Sequence, residues 1–284
     1  DRPRQSAPCD WAVRTSYCVA EGLKIFPYIQ STVLREDKMA DSNQYQTARA
    51  ASTGAVDQAQ IDQGLRSYML GIYNYMATAI GVTGVAAFGM ATWASNNPAV
   101  ANTLYNSPLK WVIMIAPLAF VMVISFGINK LSKSAATGIF YAFAAVMGVS
   151  MSWIFMVYNI PSIIQTFFVT ASAFGALSLY GYTTKRSLSG MGTFLMMGLF
   201  GLIIAMVVNL FMQSSALSFA INVIGVLIFA GLTAWDTQRL KNTYDMVAGN
   251  AEAMAKSSIM GALSLYLNFV NMFMFLLSFM GNRE

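Results

Sequence analysis

Between Gln63 and Trp235 the chain carries no Asp or Glu, and Asp236 closes that long apolar stretch. A lone carboxylate at the edge of a membrane-like region is costly to keep and is a site candidate by default. At the mouth of a helical bundle it would concentrate cations and offer ligand oxygen to a hard ion such as Ca²⁺. A plainer role is a surface pair with Arg239, three residues on. Lys130 ends the second apolar segment on the same side of the membrane, so a Lys130–Asp236 pair would close the mouth and compete with a cation. Snorkelling to the headgroups is the plainer role for Lys130. A second polar feature lies on the last apolar segment, where Ser257, Gly261, Ser264, Asn268 and Asn271 recur at helical spacing and form one small and polar stripe. That stripe faces protein or water. Asn268, near the middle of its span, is a candidate for lining a polar cavity, whereas Ser264 and Asn271 read as hydrogen-bonding partners of neighbouring helices.

Absences narrow the chemistry further. With no His in the chain, Ser-His nucleophilic catalysis, the H-E-x-x-H zinc site and imidazole proton relays are excluded. An intramembrane aspartyl protease needs two carboxylates at one site, and the spans supply one. Every Lys sits in a loop or at a span end, which removes a retinal Schiff base. The chain is therefore expected not to be an enzyme and to need no cofactor. The 20 Met residues read as adaptable packing, without the His or Cys that copper binding would bring.

The elements that must hold these residues follow from charge and length. Residues 1–62 contain fifteen charged side chains and the remaining 222 contain fourteen. In the second part about seven apolar sections of roughly twenty residues match a hydrocarbon core roughly 30 Å thick. They run approximately over 69–94, 110–129, 135–157, 161–183, 192–212, 216–236 and 257–280. They are too long and too uniformly apolar for barrel strands, so the fold class is an all-α integral membrane bundle of seven helices. One face then receives Arg66, Lys130, Lys133, Lys185, Arg186, Arg239, Lys241 and Lys256, and the other only Lys110 and Arg283. This bias predicts a cytoplasmic N-terminus and an outside C-terminus, and assigns the net charge of +5 to anionic lipid, not nucleic acid. Gly81 with Gly84, and Gly198 with Gly201, are expected to mark close helix crossings.

Residues 1–62 lack a long apolar run, and no secretory signal or transit peptide is legible in them. Met39-Ala-Asp-Ser has the form of an ordinary start. Residues 1–38 therefore read as an upstream or non-native disordered extension, and 39–65 as a soluble cytoplasmic tail ahead of the membrane domain, 66–284. Cys9 and Cys18 both fall in the extension, so they carry no disulfide or metal argument for the membrane domain.

Two ordered segments bring a family into view. Residues 222–241, Asn-Val-Ile-Gly-Val-Leu-Ile-Phe-Ala-Gly-Leu-Thr-Ala-Trp-Asp-Thr-Gln-Arg-Leu-Lys, precede residues 261–273, Gly-Ala-Leu-Ser-Leu-Tyr-Leu-Asn-Phe-Val-Asn-Met-Phe. Together with 141–148 in the third span, they closely resemble the Bax inhibitor-1 family, also called transmembrane Bax inhibitor motif proteins, over about 66–281. The resemblance implies a seven-helix bundle with the last helix central and a pH-sensitive cation leak, chiefly for Ca²⁺. It also implies a gate built from an aspartate ending the sixth span, a second in the seventh, and an arginine ending the second. Asp236 matches the first position, Asn268 stands at the second, and Lys130 falls at the arginine position. Two carboxylates can share a proton and titrate together, whereas an Asp–Asn pair cannot; Asn268 still offers a carbonyl oxygen, so Asp236 and Asn268 are the candidate Ca²⁺ ligands. Some bacterial relatives instead restrain a membrane-anchored AAA protease, for which the tail around 39–66 would be the handle. The likeness, the short loops and the small tail point to a multi-pass protein of the bacterial inner membrane, with lipid and Ca²⁺ or H⁺ as partners.

Overall fold

Uniformly apolar segments must satisfy their backbone polar groups internally, and here they do so as helices. The computed structural model describes residues 63–128 and 131–282. Lys130 and everything ahead of Gln63, including both Cys residues, lie outside the described residues. We number the long helices α1 (Gln63–Asn96), α2 (Leu109–Gly127), α3 (Lys133–Met151), α4 (Ile160–Thr183), α5 (Ser189–Met212), α6 (Ser215–Val247) and α7 (Ala251–Met280). Short turns of helix occur at Pro98–Ala101, Asn102–Asn106 and Ile154–Val157. Among the described residues, 6 helices are long and apolar enough to cross a membrane, and α2 holds a shorter apolar stretch at Ile115–Ile124. Six candidate spans thus stand where the sequence analysis draws seven, and α2 is the difference.

The helix starts carry their own signals. Ser132, Asn159, Ser214 and Asn250 each accept a hydrogen bond from a backbone N–H in the first turn of α3, α4, α6 and α7, satisfying donors that would otherwise be left unpaired. The turn between α5 and α6 is tight. Gln213 adopts φ 50°, and Asn209 braces the turn by accepting from Ser214 N (3.1 Å) and donating to Ser218 Oγ (2.7 Å).

α7 runs through the middle of the bundle: 61% of its apolar window is buried, against 11–33% for the other five candidate spans. The central position that the family resemblance implies for the last helix is therefore present. Tyr266 of α7 fixes the contact with α1 and α3. Its ring meets Phe140 and Phe143 edge-on, and its hydroxyl shares a 2.7 Å hydrogen bond with Thr83, which in turn donates to Ala144 O. At one end of the bundle a separate apolar cluster, Ile154, Tyr158, Ile163, Phe273 and Leu277, packs the space between α4 and α7.

Small residues set the closest approaches, though not at the glycine pairs read from the sequence. A Cβ on Gly148 would collide with Thr83 O and Ala86 of α1, and one on Gly181 with the Ala234 carbonyl of α6. Around Gly81, Gly84 and Gly201 there is open space, and Gly198 touches only the tip of Ile228. Gly81 and Gly84 instead line an apolar cavity of about 650 Å³ among α1, α3, α4 and α7. Spacing marks a glycine as small, but which face it occupies is decided by packing. Gly181→Val is expected to destabilise the protein by about 1–3 kcal/mol, since overpacking forces backbone apart. Gly81→Ala should leave stability unchanged in a thermal unfolding assay on detergent-solubilised protein.

Candidate functional site

The span that the sequence analysis ends at Asp236 continues as regular helix to Val247, making α6 33 residues long. Asp236 is accordingly inside a helix, packed against α7, with its side chain 5% exposed. Two hydrogen bonds from α7 converge on the same carboxylate oxygen: Ser264 Oγ and Asn268 Nδ2 each donate to Oδ2 at 2.7 Å. The two donors sit one helical turn apart, so a single face of α7 delivers both. The amide of Asn268 must present Nδ2 here, because its oxygen would face a carboxylate oxygen. Its carbonyl is thereby turned away from Asp236.

The other carboxylate oxygen, Oδ1, is buried and faces Arg239 Nη2 at 2.7 Å without a directed hydrogen bond, so charge alone holds it. The surface pair weighed in the sequence analysis therefore forms, but only one of its members is at the surface. Arg239 is 47% exposed against the 5% of Asp236. Its guanidinium stacks over the Trp235 ring, 4.8 Å from the centroid, and reaches Ser264 Oγ at 3.5 Å. Trp235 can lie there because Gly192 of α5 has no Cβ; the indole occupies the place where one would be. Arg239 and Ser264 also line a vestibule of about 340 Å³ between α2, α6 and α7, together with Val121, Thr243, Ser257 and Gly261.

Of the residues singled out from sequence, Asp236 and Asn268 are thus brought into direct contact, and Ser264 joins them. Ser257 bonds across to Tyr68 of α1 (2.7 Å), and Gly261 allows Leu240 and Ile72 to close on α7. Asn271, read as a partner for a neighbouring helix, instead donates to Leu267 O of its own helix (2.8 Å). Lys130 lies outside the described residues, and the cation observed at the carboxylate is Arg239. Arg239 was named from its spacing, three residues after the lone carboxylate and therefore on the same helical face, and that pair is the one formed.

A second polar layer backs the site. Thr237 shares a 3.0 Å hydrogen bond with Ser178 of α4, and Ser178 with Tyr73 of α1. Beyond it, Gln238 accepts from Leu188 N (2.7 Å) and donates to Arg186 O (2.8 Å), while Lys241 Nζ donates to Tyr182 O at 3.0 Å. The continuation of α6 therefore ties down the α4–α5 connection immediately beside Asp236.

A family model described as "Inhibitor of apoptosis-promoting Bax1" matches residues 65–284, which include both α6 and α7. The chain belongs to the Bax inhibitor-1 family. An uncharacterised Rickettsia prowazekii protein of this kind is 47% identical over 223 residues, covering 78% of this chain and 92% of its own length. An uncharacterised Caulobacter vibrioides protein is 46% identical over 234 residues, covering 79% and 92%. The inner membrane protein YbhL of Escherichia coli is 44% identical over 223 residues, covering 78% and 94%. With its candidate membrane spans, this Bax inhibitor-1 family member is a multi-pass protein of the bacterial inner membrane.

The Asp236–Asn268 contact has a measurable worth. Asn268→Leu removes one of two donors from a buried carboxylate and should cost about 1–2 kcal/mol of stability. In a double-mutant cycle with Asp236→Leu the coupling should be favourable and of similar size. Strict additivity in reversible detergent unfolding would contradict the contact.

Proposed function

We propose that the protein is a pH-sensitive cation leak, chiefly for Ca²⁺, gated at the mouth around Asp236. One observation carries the reading: a buried carboxylate whose charged partner is a half-exposed guanidinium standing in a vestibule. Removing that guanidinium alone would leave a desolvated anion, which is costly, so any motion of Arg239 favours entry of another cation in its place. Asp236 and Asn268 lie behind the vestibule lining; displacement of Arg239 would open Asp236 Oδ1 to a metal ion, beside the Ser264 hydroxyl and, after rotation of its amide, the Asn268 carbonyl. That set falls well short of the six to eight oxygens that retain Ca²⁺. It suits passage of a largely hydrated ion more than storage.

The wider topology supports the same reading. If α2 spans the membrane as a seventh helix, the basic residues gather at the vestibule end, which then faces the cytoplasm. Lys130 follows α2 in the sequence, on the side of the membrane that this topology assigns to the mouth. It would then act beside Arg239 as a second closing charge. At the opposite end the Tyr158 and Phe273 cluster packs α4 against α7.

The test is Ca²⁺ entry into dye-loaded proteoliposomes at matched protein density and across pH. Asp236→Asn should abolish protein-dependent flux, and Arg239→Gln should raise resting leak several-fold, as should Lys130→Ala to a smaller extent. Because an Asp–Asn pair has no proton to share, Asn268→Asp should steepen the pH dependence. Flux indistinguishable from empty liposomes would reject the leak. Regulation of a membrane-anchored AAA protease would then lead, with deletion of residues 39–55 as its test.

A further inference from the structure

A third cavity, whose reading does not depend on the ion leak, lies between α1 and α4. It has a volume of about 470 Å³, within the range of small-molecule sites. α1 contributes Arg66, Met69, Leu70, Tyr73 and Met76, which share one face at helical spacing. From α4 come Phe174, Gly175, Ser178, Leu179 and Tyr182, in the opposite chain direction. Arg66 and Tyr182 therefore mark one end of a slot, and Met76 and Phe174 the other, about 15 Å away at the helical rise. Its rims, Leu70 and Leu179, are 51% and 64% exposed, so the slot opens sideways where bilayer hydrocarbon would lie.

Charge is arranged along the slot as along a lipid. Further cations gather at the Arg66 end: Lys241 Nζ sits 5.0 Å from the centre of the Tyr182 ring, and exposed Lys185 and Arg186 follow within four residues. No carboxylate among the described residues lines the slot. The remainder is apolar except for Tyr73 and Ser178, which satisfy each other. The larger cavity beside Gly81 differs on this point, because it is lined by no charged residue and has nothing to select one headgroup over another.

We infer that this slot binds one acyl chain of an anionic phospholipid, with the lipid phosphate on Arg66. Basic pockets between membrane helices recognise acidic headgroups by charge, and an apolar channel of helix-crossing length supplies the complementary site for a chain. Gly175, an exposed lining residue, gives a direct handle, since a Cβ on it would meet nothing within 4 Å. A large side chain there has room beside the slot without displacing a helix contact.

The experiment is native mass spectrometry of the full chain in detergent, titrated with dimyristoyl phosphatidylglycerol or, separately, dimyristoyl phosphatidylcholine. The unaltered protein should retain one phosphatidylglycerol and prefer it by about fivefold or more, the effect of a single basic contact. Arg66→Gln should bring the two lipids to equal affinity. Gly175→Phe should remove the retained lipid of either kind, while Gly175→Ala keeps it. If Gly175→Phe fails to fold, Arg66→Gln, a change at an exposed position, decides the matter. Equal binding of both lipids by the unaltered protein, or a phosphatidylglycerol preference that survives Arg66→Gln, would overturn the assignment.

Discussion

Burial of one negative charge governs the centre of this protein. An ionised carboxylate taken out of water costs several kcal/mol unless its lone pairs and its charge are answered. Asp236 is answered on two sides by different means: directed hydrogen bonds from α7 meet one oxygen, and an undirected positive charge meets the other. The first arrangement requires α6 and α7 to be held at close range and in register. Gly261 permits that range by leaving room for Leu240, and the Tyr266 anchor to α1 and α3 holds α7 in place from the opposite side.

The asymmetry of the two answers shapes what the site can do. Ser264 and Asn268 are carried by a buried helix, so their side chains can rotate but the residues stay beside Asp236. Arg239 is half exposed and is held by its flexible chain, by stacking on Trp235 and by a long contact to Ser264, so it is the member most able to exchange with solvent cations. The tie from Gln238 and Lys241 to the α4–α5 connection keeps the helix beneath it rigid. A fixed anion with a movable partner is the minimum needed for competition between an internal and an external cation.

Much of this was legible in the chain. The lone carboxylate, the helical stripe that includes Ser264 and Asn268, and the family motifs around them all lie in short segments with strong periodicity. What escaped was whatever depends on three-dimensional approach. Hydropathy stopped α6 at Asp236 because polar residues follow it, yet those residues continue the helix by bonding to the α4–α5 connection. Spacing singled out the glycine pairs at Gly81 and Gly198, whereas the isolated Gly148 and Gly181 are the ones that meet a neighbouring backbone, which only packing reveals. Arg239 was visible as a neighbour, but no pattern in sequence tells that one end of an ion pair is submerged and the other is not.

The length of α6 has a practical corollary. Its 33 residues extend roughly 20 Å beyond what a bilayer core requires, and α7 begins only a short turn later. The two therefore form a helical hairpin, braced by Tyr244 against Tyr68 of α1, whose tip, around Gly249, carries the charged residues Asp245 and Glu252. Small membrane proteins have featureless outlines that make particle images hard to align. A soluble helical domain spliced in continuous register at this tip would give such a molecule an external landmark.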